Sequence, residues 1–271
     1  MNTLVTYLAQ PFVQHALLAA TLVALACGLI GSFVVMRGMA FAVHGTSELA
    51  FTGAAGGLVV AGNPVAGAFA GAIIVAALIG TLGNRERERD ASIGVILAFG
   101  LAVGVLLLSF YHGFAAEATN ILFGYIFGVS TGQLVTLTIV GLLTGGAMLF
   151  MYRPLLFASV DPEVARAKGV PVRLLGLLFL FILALTVTAA AQIVGTLLVL
   201  SLAITPAAAA TRLSASPLKV TALSVLFAVV ASDGGLLVSL AFDRIKASVC
   251  IASCSFVIYL LARLMGRRYT E

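Results

Sequence analysis

Asp161-Pro162-Glu163-Val164-Ala165-Arg166-Ala167-Lys168-Gly169-Val170-Pro171 is a short polar stretch set between two runs, 132–151 and 173–191, that are apolar enough to belong in lipid. Asp161 can accept hydrogen bonds from the first free backbone amides of a helix, and Pro162 has the fixed φ that suits a first helical turn. Gly169 and Pro171 supply the stop. The stretch therefore predicts a discrete, capped polar helix outside the bilayer, tied on both sides to membrane spans.

Composition extends this reading to the whole chain. Apolar residues make up 62% of it, charged residues only 9%, and the mean hydropathy is +1.18. A soluble domain of 271 residues could not cover itself with so few charges, so the chain reads as an all-α polytopic membrane protein. The net charge of +5 is spread over short loops rather than one face, which argues against nucleic acid as a partner. The first apolar run, 12–36, lacks a basic leader and reaches about 37 Å as a helix, so it reads as a span and not a cleavable signal. Glycine is abundant, as expected where spans pack through small side chains.

Hydropathy predicts nine spans, at about 12–36, 39–62, 65–83, 91–111, 132–151, 173–191, 193–211, 219–241 and 247–264, with eight or ten as alternatives. The open points are a short hairpin at Gln192 and the segment 120–132, which could be interfacial or re-entrant. In the nine-span reading, Arg37, Arg85, Arg87, Arg89, Arg153, Arg166, Lys168, Arg173, Arg212, Lys219, Arg263, Arg267 and Arg268 share one side. Only Arg244 and Lys246 fall on the other. The positive-inside rule makes the first side cytoplasmic and places the N-terminus outside. The alternating run Arg85-Glu86-Arg87-Glu88-Arg89-Asp90 reads as a solvated cytoplasmic turn. No separate soluble domain is expected; residues 1–271 form one transmembrane unit.

Two polar positions inside lipid need an explanation. His44 and Glu48 are one turn apart and share a face of the second span. An acid within a span costs about 2.5–3.5 kcal/mol on insertion scales, so it faces a cavity or a partner. Imidazole with carboxylate is a common half-site for a divalent transition metal. The alternative is a hydrogen-bonded pair that fixes helix packing. Asp233, beside Gly234 and Gly235, is a second intramembrane acid, with a structural role at a small-residue notch or a place on an ion path. His15, His112 and Glu117 sit near outer span ends as surface residues or loose capture ligands.

Cys27, Cys250 and Cys254 all fall in spans and read as buried apolar packing. Enzyme signatures are missing. There is no Gly-x-x-x-x-Gly-Lys-Ser/Thr to cradle ATP and no His-Glu-x-x-His for an intramembrane zinc protease. Ser47 lies near His44, but nothing suggests an oxyanion site.

Ordered blocks along the chain resemble the permease subunits of bacterial ABC importers for zinc and manganese. They are Phe33-Val34-Val35-Met36-Arg37-Gly38-Met39, Ala91-Ser92-Ile93-Gly94-Val95-Ile96 with Gly104 and Leu108, and Leu122-Phe123-Gly124-Tyr125-Ile126 with Gly128. Most specific are Asp161–Pro171, Gln192-Ile193-Val194-Gly195-Thr196-Leu197-Leu198 and Ile204-Thr205-Pro206-Ala207-Ala208. The resemblance implies a bacterial cell-membrane permease that works as a homodimer, with two cytoplasmic ATPases below and a soluble metal-binding protein outside. It makes Asp161, Pro162, Glu163, Val164, Ala165, Arg166, Ala167, Lys168 and Gly169 the coupling helix that docks on the ATPase. It implies no permanently bound cofactor, and zinc or manganese as cargo.

One departure stands out. The family usually carries Asp, three residues, then His in the second span; the matching positions here are His44 and Glu48. The ligand types are exchanged, not lost. Two copies facing each other would offer two imidazoles and two carboxylates, a set that suits zinc well and manganese acceptably. Alternatives are a permease for a metal chelate of the siderophore or cobalamin type, an ATP-independent secondary metal transporter, and a structural membrane anchor.

Overall fold

The computed structural model describes residues 10–82, 86–110, 126–241 and 246–266. Its elements are helices and turns: α1 (Pro11–Met36), α2 (Ala40–Ala61), α3 (Pro64–Leu82), α4 (Glu86–Ser109), a 3-10 turn (Ile126–Gly128), α5 (Thr131–Val160), α6 (Pro162–Ala167), α7 (Val172–Val194), α8 (Thr196–Leu213), α9 (Pro217–Ala241) and α10 (Ala247–Gly266). Among the described residues the long helices fall on the nine ranges expected from hydropathy. Seven of them, α1, α3, α4, α5, α7, α9 and α10, are long and apolar enough to cross a membrane. The protein is a multi-pass helical membrane protein. Helices suit lipid because each satisfies its own backbone groups. Side chains such as Val95, Phe99, Leu142, Leu149 and Phe150 stand exposed on α4 and α5, an apolar surface that water would not tolerate.

Local chemistry sets the helix ends. Ser130 opens α5 with a capping box: its Oγ accepts from the Gln133 amide at 3.2 Å, and Gln133 Oε1 accepts from the Ser130 amide at 3.0 Å. Asp161 Oδ1 accepts from the amides of Glu163 (3.2 Å) and Val164 (3.0 Å), as the sequence predicts, and the turn after α6 closes at Gly169 with φ +81°. Asp161 is at once the last cap of α5 and the first cap of α6.

Two boundaries differ from the sequence reading. The fifth helix does not stop at 151; it continues through Pro154 to Val160. Proline forfeits one backbone hydrogen bond there, but Leu155 and Ala158 are buried on the core side and hold the extra turns in place. The predicted hairpin at Gln192 lies three residues further on. Gln192 is inside α7, and the chain turns at Gly195, whose φ of 87° and ψ of 154° suit a residue without Cβ. Residues 120–125 of the segment 120–132 lie outside the described residues, as do Arg85, Arg244, Arg267, Arg268 and the side chains of Arg87 and Arg89.

The core forms around α1, which packs against α9, α8 and α5. Polar side chains stitch it to α9: Ser224 Oγ donates to the Gly28 carbonyl at 2.7 Å, Ser232 Oγ to the Ala20 carbonyl at 3.1 Å, and Thr221 Oγ1 to Ser32 Oγ at 3.1 Å. The α2–α3 hairpin packs through Gly53 and Gly57 on one helix and Gly67 and Gly71 on the other. A Cβ added at Gly53 would lie 2.8 Å from Gly71 Cα, and one at Gly57 2.6 Å from Gly67 Cα. Small residues four apart on both helices let the backbones touch, and this contact fixes the rotation of α2.

Candidate metal-handling site

The rotation of α2 decides where its polar residues point. One side of the helix is held by α4, where Thr52 Oγ1 donates to the Gly100 carbonyl at 2.8 Å. Another is held by the start of α8, where buried Ser47 donates to the Thr196 carbonyl at 3.2 Å. A third carries the glycines against α3. His44 and Glu48 fall on what remains, and both are half-buried. Phe41 packs near the His44 ring, with centroids 6.1 Å apart. Among the described residues no hydrogen bond or ion pair engages either His44 or Glu48. No group of three or more His, Cys, Asp or Glu capable of holding a metal forms among the described residues either. One copy presents an imidazole and a carboxylate on one helical face.

Asp233 is placed elsewhere. Its carboxylate accepts from Thr21 Oγ1 at 3.1–3.2 Å across the α1–α9 seam, and it joins no cluster with His44 and Glu48. His15 is half-buried near the start of α1, while His112 and Glu117 lie outside the described residues. Cys27 and Cys250 are buried, Cys254 is half-buried, and all three are free thiols.

The polar helix α6 is exposed almost throughout. Only Ala165 is buried, seating the helix on the bundle, while Glu163, Val164, Arg166 and Lys168 face outward. Behind it, Arg37, Arg166 and Arg173 line a cavity of about 560 Å³ together with Ser159. The basic residues from the α1–α2 turn, α6 and the start of α7 are thus gathered at one end of the bundle, as the charge bias predicts.

Sequence reading missed a second polar feature. Thr188 and Gln192 line a cavity of about 390 Å³ at the α7–α8 corner, facing Ser47 and Phe51 of α2. The signal was available in their i, i+4 spacing within an apolar run.

A half-buried imidazole and carboxylate on one helix, a capped surface helix and a multi-pass apolar bundle fit a transport subunit of the membrane. Residues 9–266 match the ABC 3 transport family, and the chain belongs to it. It is a permease subunit of an ABC transporter and not an enzyme. It is 32% identical to the manganese transport system membrane protein MntC of Halalkalibacterium halodurans, over 93% of this chain and 87% of that protein. It is 26% identical to the high-affinity zinc uptake system membrane protein ZnuB of Haemophilus influenzae, over 93% of this chain and 97% of that protein. Among solved structures it resembles PsaBC from Streptococcus pneumoniae in complex with Fab, with a TM-score of 0.87 and 28% identity, covering 98% of this chain and 97% of that one.

Proposed function

We propose that two copies of this permease form an importer that carries a divalent transition metal into the cytoplasm, driven by ATP hydrolysis in separate subunits. The observation that carries it is the pair His44 and Glu48, half-buried on one face of α2 without a hydrogen-bonding partner among the described residues. A carboxylate in a span is costly unless something compensates it. Two such faces brought together supply four ligands of the hard and borderline type that a divalent ion takes. The set favours zinc, which accepts imidazole and carboxylate in tetrahedral geometry. Manganese is the second reading, favoured by the names of relatives such as MntC.

In this reading α2 and α8 complete nine spans, with the basic ends cytoplasmic. The helix α6 is the coupling helix. Capped at Asp161 and seated by Ala165, it presents Glu163, Val164, Arg166 and Lys168 to an ATPase. ATPase closure moves α6 as a rigid piece and shifts the bundle around the ion, which must be held weakly enough to leave. A soluble metal-binding protein delivers the ion on the opposite face.

The test is zinc uptake into proteoliposomes that hold the permease with its ATPase and binding protein, with manganese as competitor. ATP-dependent zinc accumulation is expected, and replacing both His44 and Glu48 by Ala should abolish it while the ATPase still co-purifies. Normal uptake by that variant would sink the proposal. Uptake without ATP would make the protein a secondary transporter.

A further inference from the structure

The α7–α8 corner encloses a cavity that the metal reading does not use. Its volume is about 390 Å³, and Thr188, Gln192, Ser47, Phe51 and Gln133 are among the residues that line it. Among the described residues no charged side chain lines it. Thr188 and Gln192 are one turn apart, so they present their polar atoms on the same face of α7. Thr188 is 1% exposed, and among the described residues its Oγ1 has no hydrogen-bond partner; the buried Nε2 of Gln192 has none either. Thr186, two residues earlier, shows the ordinary arrangement: its Oγ1 donates to the Ile182 carbonyl at 2.8 Å and lies 2.7 Å from Thr144 Oγ1.

A buried polar atom left dry costs about 1–3 kcal/mol, and two of them share one wall here. A water molecule occupies about 30 Å³ of the liquid, so the space accommodates several. Volume and unpartnered groups thus point to the same occupant, and the neutral walls favour water over a bare ion. Ser47 is committed to the Thr196 carbonyl and keeps the corner tied to α2. We propose that this cavity is an aqueous inlet: Thr188 and Gln192 bind ordered water in it and bring that water to α2 at Ser47. Neither His44 nor Glu48 lines the cavity, so the inlet stands independently of the metal reading.

The inlet can be tested on the unmodified permease bound to its ATPase by X-ray radiolytic footprinting, in which hydroxyl radicals made from bound water oxidise the side chains beside it. Phe51 lines the inlet, whereas Phe33 and Phe179 are buried in the dry core. Phe51 should oxidise several-fold faster than either. Replacing Thr188 by Val and Gln192 by Leu should bring its rate down to theirs in a permease that still binds the ATPase. Equal rates in the unmodified protein would overturn the inlet, and an unchanged Phe51 rate in the double variant would overturn the role of Thr188 and Gln192. The readout needs no metal, so the inlet can fail while the His44–Glu48 reading stands, and the reverse.

Discussion

His44 and Glu48 are held by the same helical turn, yet chemistry assigns them separate tests. Replacing Glu48 by Ala should lower zinc uptake about tenfold or more, which corresponds to about 1.4 kcal/mol or more of lost ion binding. Exchanging the ligand types, with His44→Glu and Glu48→His, should keep uptake while altering the zinc-to-manganese ratio in a competition assay. Total loss in the exchanged variant would show that position, not ligand type, governs the site. Asp233 calls for the opposite outcome. Removing its donor with Thr21→Val should lower thermal stability in detergent by about 1–3 kcal/mol, because the carboxylate stays while its partner goes. Asp233→Asn should be milder, and both should leave the metal preference unchanged. The residues differ in how plainly the sequence announces them. An imidazole and a carboxylate in lipid demand an explanation, so His44 and Glu48 were legible. Thr188 has only its spacing from Gln192 to mark it, because a threonine in a helix normally satisfies itself on the preceding turn. Whether it does so, as Thr186 does, is decided by packing that no single sequence displays.

At the level of elements, caps and apolar run lengths were informative, and Pro154 misled. Asp161 and Gly169 end and begin structure where their chemistry says they should. Pro154 and Pro206 both lie inside helices, because buried neighbours hold the turns together despite one missing backbone hydrogen bond. The α2–α3 contact offers a test of how the half-site is aimed. A leucine in place of Gly57 meets the Gly67 backbone and should cost about 1–3 kcal/mol or more by overpacking. Its effect should appear as reduced thermal stability together with lost uptake, since rotating α2 moves His44 and Glu48. The helix α6 separates the two properties. Asp161→Ala removes the cap and should cost about 0.5–2 kcal/mol locally. Uptake should fall in this variant while global unfolding stays close to the parent, and retained uptake would free α6 of a coupling role.

For the whole molecule, the all-helical, multi-pass character came from hydropathy, but the arrangement did not. Helices that are apolar all round carry no stripe to show which face meets protein and which meets lipid. The central position of α1 and its serine and threonine links to α9 therefore emerge only in three dimensions. The proposed assembly has its own signature. Equilibrium dialysis of the purified permease should find a single zinc ion shared by two copies, lost when His44 and Glu48 are both Ala. A full complement in each separate copy would mean that one chain completes the site alone. In the proposed coupling role of α6, the joint at Asp161 sets the mechanical character of the assembly. One residue closes a helix of 30 residues and opens the next, with no linker between them. Such a joint has no backlash: a push on α6 is spent on tilting α5 rather than on taking up slack, so stroke length at the surface and displacement deep in the bundle are geared together.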